Sequence, residues 1–149
     1  MTPEQLQLVR LTLAQATNDP VSLGQQFYRR LFILAPDLRA RFDGDIDAES
    51  LKLKDALTLT FGTLSDMPFL VATLEAMERG GVARGLSEKH CRAIAQSLLW
   101  AVERRVGTAG FTPQVCNAWI ALFSVVVAVL LRAPAADLER PRVRERRVA

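Results

Sequence analysis

Apolar residues recur along this chain at three- and four-residue intervals, the spacing of one face of an α-helix, in blocks set apart by proline, glycine and short polar runs. Thr2-Pro3-Glu4-Gln5 places a hydroxyl before a proline at the first helical position, with a glutamine three residues beyond the hydroxyl. That is a capping-box start, and it predicts a helix to about Ala16 with Leu6, Val9 and Leu13 inward. Asp19-Pro20 opens a second helix along Leu23, Phe27, Leu31 and Leu34, which Pro36 ends by biasing residue 35 away from the helical region. Pro36 to Phe42 reads as a short turn of helix and Asp43-Gly44-Asp45 as a loop.

Leu53, Leu57, Phe61 and Leu64 share one face of a third long helix. Pro68 starts the next, with Leu70, Leu74 and Met77 inward and Gly81 the following position on that stripe. Ser87 is the N-cap expected for a long helix carrying Cys91, Ile94, Ala95, Leu98 and Val102 inward and closed by Gly107 and Gly110. Thr112-Pro113 caps the last helix, whose core side is Val115, Ala118, Leu122, Val126 and Val129. Val125 and Val127 make it apolar nearly all round, the pattern of a central, covered helix. Its β-branched run resembles a strand, but length and capping favour helix, so the expected class is all-α.

Length and composition add bounds. At 149 residues the chain is one domain, enough to bury roughly two thirds of its unfolded surface in a single core. The expected division is a helical domain over 1–133 and a basic, disordered tail over 134–149. The most apolar stretch, Ala118 to Leu131, falls short of the roughly twenty residues that cross a bilayer, so no membrane span is expected. The first residues lack a basic start and an apolar run, which makes a cytoplasmic location the default. Cys91 and Cys116 have no metal-ligand spacing and are expected as free thiols. The formal charge is +3, and Asp137 to Ala149 supplies two of those units with five arginines against three acids. The body is nearly neutral, which argues against a nucleic-acid-binding face.

Phe27-Tyr28-Arg29-Arg30-Leu31-Phe32, with Pro36, Leu38 and Phe42 following, resembles the B to C helix signature of single-domain bacterial haemoglobins and the globin part of flavohaemoglobins. Phe111-Thr112-Pro113 with Ala118-Trp119 resembles that family's H-helix entry, and Leu98-Leu99 with Gly107 its G-helix spacing. The resemblance spans about residues 4–132 and implies a globin-like three-over-three helical sandwich with a haem pocket. By position it makes Tyr28 the distal tyrosine, able to donate to iron-bound oxygen, and Phe42 the ring that stacks on porphyrin. Leu53 and Leu57 are the candidates for the distal helix, and neither donates a hydrogen bond. Read without the family, the two aromatics simply fill core space.

On the proximal side the chain departs from the family at three positions. Gly81 stands where the family has its iron-ligating histidine, so no imidazole is there to bond iron. Cys91 stands in place of a tyrosine, and Pro134 in place of the glutamate that accepts the histidine's other N–H. Gly80-Gly81 also weakens a helix interior by about 2 kcal/mol relative to alanine, so the helix is expected to close there on a left-handed glycine. The remaining candidate metal ligands are His90, Cys91 and Met77. His90, the only histidine, lies about 100° off the inward stripe and reads as a surface or capping residue. Cys91 faces inward, but its side chain is short and no neighbour is basic enough to make it a thiolate ligand, and Met77 reads as core.

No phosphate loop, His-x-x-x-His or nucleophile set is present, and Asp45, Asp47 and Glu49 read as solvated loop charge. The expectation is a haem-free or weakly haem-binding globin-fold protein, not an enzyme, acting as a ligand-binding, sensor or interaction module. Its pocket, between the family's E and F regions, would be collapsed or hold an apolar small ligand such as a fatty acid, with a protein partner or a homodimer open. The alternative is a haem-binding globin for oxygen or nitric oxide, with Tyr28 distal and an unusual or external axial ligand.

Overall fold

The computed structural model describes residues 1–42, 45–61, 67–81 and 84–131. Among these there are helices and no strand. The order is α1 (Pro3–Ala16), α2 (Pro20–Leu34), a 3-10 helix (Pro36–Arg41), α3 (Ile46–Phe61), α4 (Met67–Arg79), α5 (Glu88–Val106) and α6 (Pro113–Leu130). Asp43, Gly44, Leu64, Pro134 and the tail over 134–149 lie outside the described residues.

Helix starts follow local chemistry. The Thr2 hydroxyl accepts from the Gln5 amide at 3.1 Å while the Gln5 side chain accepts from the Thr2 amide at 3.0 Å, the reciprocal box read from the sequence. Ser87 forms the same kind of box at α5, and Asp19 and Thr112 cap α2 and α6 in one direction, each taking one of the otherwise unpaired first-turn amides.

One core joins the helices. α2 packs against α3 and α5, α1 against α6 and α5, and α4 against α6. The expected stripes of α1 and α2 are buried, with Thr12 and Ala16 added to the first and Leu34 only half-buried in the second. Close approach of α2 to α3 depends on Gly24, because a Cβ there would overlap the Ser50 side chain and stand 2.7 Å from Ser50 Cα. Trp119, fully buried on α6, donates its indole N–H to Thr12 Oγ1 at 2.8 Å, tying the last helix to the first.

Two expectations need correction. The core side of α5 is Ala93, Ser97, Leu98, Ala101 and Val102, while Cys91, Ile94 and Ala95 are half-buried. Small residues at 93, 97 and 101 carry little hydrophobic signal, which is why the larger neighbours read as the inward set. Nor is α6 a covered helix: only 22% of its 18 residues are buried. Val115, Ala118, Trp119 and Leu122 enter the core, and every residue from Val125 to Leu130 is half-buried. By length and composition α6 could cross a membrane, but its first half is locked into the core by Trp119.

Candidate functional site

An apolar cavity of about 400 Å³ opens between the 3-10 helix, the turn before α5, and the outer faces of α5 and α6. That volume lies within the roughly 300–1,000 Å³ of small-molecule pockets. Its walls follow helical periodicity. Cys91, Ile94 and Ala95 come from α5 at i, i+3, i+4, and Phe123, Val126, Val127 and Leu130 from α6 at i, i+3, i+4, i+7. Leu38, Arg41, Phe42 and Leu86 complete the lining. α6 therefore carries two apolar stripes, one for the core and one for this cavity.

Of the positions singled out by resemblance, the cavity brings together Phe42 and Cys91. Tyr28 is buried against Phe42, ring centroids 5.1 Å apart, and belongs to an aromatic cluster with Phe27 and Phe32. Its hydroxyl does not face the cavity; it donates to the Glu49 carbonyl at 3.4 Å, a long bond. Burial, reinforced by the Glu49 charge, pushes the phenol up to about 12. Tyr28 lines a separate shallow cleft with Gln25 and Arg29. Leu57 is in the core and Leu53 packs half-buried against it.

Gly81 lies beyond the end of α4, where Gly80 N–H bonds Ala76 O at 3.1 Å and Gly81 N–H bonds Glu78 O at 3.0 Å. Its φ is +81°, the left-handed closure expected of the double glycine. Because α4 stops at Arg79, Gly81 leaves the Leu70, Leu74, Met77 stripe and lines another cleft with Arg79 and Arg84. The Arg84 guanidinium lies over it, with Nη2 2.7 Å from where a Cβ would stand.

His90 is committed elsewhere. Its Nδ1 accepts the Ser87 amide at 3.3 Å as part of the α5 capping box. With Nδ1 an acceptor, Nε2 bears the proton and donates to Asp37 Oδ2 at 2.6 Å. The Asp37 carboxyl is held below its ordinary value chiefly by that hydrogen bond. Cys91 is pushed up by burial and then by Glu88, away from the thiolate that would bind a metal. Met77 packs half-buried against the core and is not part of the cavity wall.

Among the described residues no group of three His, Cys, Asp or Glu side chains could hold a metal ion. The donor set fits an axially ligated haem poorly, since the one imidazole has both nitrogens engaged and the one cavity thiol is kept protonated.

Of the cavity residues, only Phe42 and Cys91 were expected in a pocket; Ile94, Ala95 and Val126 read as core, and Arg41, Leu86, Phe123 and Leu130 were not singled out. The α6 pair of stripes was visible as an i, i+3, i+4, i+7 line beginning at Phe123, parallel to the core line. Arg41 carried no signal, because an arginine in a short turn is ordinarily solvated. Compared with models of known protein families, the chain matches none.

Proposed function

We propose that this is a globin-fold domain of three-over-three architecture that binds a small apolar ligand in the cavity between the 3-10 helix, α5 and α6, without coordinating iron through its own side chains. The element order and the packing of α1 on α6, α2 on α3 and α5, and α4 on α6 support the fold. The observation that carries the ligand reading is the cavity itself: about 400 Å³, with a lining that is aliphatic and aromatic apart from Cys91 and Arg41, and with no imidazole among the described residues that line it. A module of this kind acts as a sensor or interaction domain, its ligand shifting the position of the elements that form the walls.

Haem binding with an external axial base is the second reading, favoured by Phe42 on the cavity wall. Tyr28 fits its assigned distal role less well, since its hydroxyl is directed to Glu49 O.

Two titrations of the purified full chain test the proposal. A neutral apolar dye such as Nile red is expected to saturate at one per chain, whereas hemin gives no saturable one-to-one complex. A stoichiometric hemin complex whose spectrum changes on replacing His90, Cys91 or Met77 would overturn it.

A further inference from the structure

Among the described residues that line the cavity one side chain is charged, Arg41, and it sits at the rim. Arg41 ends the 3-10 helix and is exposed, with its Nη1 lying over Gly85, 3.1 Å from where a Cβ would stand. It has no carboxylate partner among the described residues. Glu88, the acid that acts on Cys91, is paired with Arg92 at 3.0 Å and so is not drawn to Arg41. Arg84 and Arg79 line the neighbouring cleft across Leu130, beside Glu78, and do not face the cavity.

We propose that the cavity takes a single-chain aliphatic carboxylate, the chain against α5 and α6 and the head on the Arg41 guanidinium. This rests on the reading of the cavity as a ligand site and adds the polar end of the ligand. The apolar walls select for hydrocarbon by the area they remove from water. One guanidinium presents two parallel N–H donors matched to a carboxylate. At the edge of an apolar cavity the attraction is screened less than in open water. A neutral chain gains only the apolar part, and a cationic head meets Arg41 repulsively.

The two cysteines supply a readout. Cys91 is on the cavity wall, while Cys116 lines the separate cleft around Trp100. With the full-length chain, dodecanoate and 1-dodecanol are titrated by calorimetry while iodoacetamide labelling of each cysteine is followed by mass spectrometry. Both probes are expected to shield Cys91 and leave Cys116 unchanged, with dodecanoate about tenfold tighter. Arg41→Gln, at an exposed position, should erase that preference and leave dodecanol binding as it was. If both probes shield Cys91 equally well in the wild type, or Arg41→Gln keeps the preference, the carboxylate assignment falls and the cavity reading stands. If neither probe shields Cys91, both fall.

Discussion

Asp37 and His90 join the two walls of the apolar cavity. Asp37 is on the 3-10 helix that carries Leu38 and Arg41 and is followed by Phe42, and His90 is in the first turn of α5, one residue before Cys91. Their 2.6 Å contact fixes the spacing of those walls, and the Ser87 amide on Nδ1 fixes the ring that makes it.

This contact gives the fold an acid-sensitive contribution. A carboxyl held below its ordinary 3.8 stabilises the native state above that pH and ceases to do so as pH falls through its lowered native value. In the acid range, the urea midpoint of Asp37→Asn should therefore lie below the wild type's above pH 3.8 and converge with it below. Because Asp37 is exposed, the difference should be modest. A gap that persists at the lowest pH would show that the variant acts by some other route.

Tyr28 is the chain's only tyrosine, so phenolate absorbance reports it alone. Titration should place the midpoint of phenolate formation at about pH 12 in the folded protein. A group raised from 10.0 to about 12 stabilises the fold fully below 10 and loses that contribution as pH rises through 12, so the thermal midpoint should fall across that window. Ionisation near 10 in the native state would mean the ring is not buried in the aromatic cluster.

Thr12→Val should destabilise the protein by about 1–3 kcal/mol, because it strands the buried Trp119 N–H. The hydroxyl serves twice, donating to Leu8 O at 2.8 Å while accepting from the indole. Denaturant unfolding measures the loss; Thr12→Ser, which keeps both bonds, should recover most of it.

Ser97→Ala should act in the opposite direction. The Ser97 hydroxyl is buried with no hydrogen-bond partner among the described residues, and alanine removes an unmet polar group while favouring the α5 helix. A gain of about 1 kcal/mol is expected in the same assay. Destabilisation would indicate that the hydroxyl is satisfied in solution.

Most of the helical frame was legible in the chain, since capping residues and prolines announce helix starts by local chemistry that tertiary packing does not override. Thr2, Asp19, Ser87 and Thr112 are instances, and each caps the helix it was expected to cap. What stayed hidden was the orientation of faces on α5 and α6. Hydrophobic periodicity finds large side chains, whereas α5 turns its small ones, Ala93, Ser97 and Ala101, to its neighbours. On α6 an apolar surface all round admits more than one inward face, and the valines gave no means of telling the core stripe from the cavity stripe. The cavity itself depends on Arg41 and Leu86, residues of a turn and a loop with no periodicity to read.

The division of α6 bears on how the cavity can respond to what enters it. Trp119 anchors the helix one turn before Phe123, the first of its cavity residues, and the two rings are in contact at 5.9 Å. From Val125 every residue to Leu130 is half-buried, and Val126 and Leu130 pack against the core while they line the cavity. A guest that presses on this wall therefore presses on side chains that the interior also uses, so occupancy and folding stability draw on the same residues.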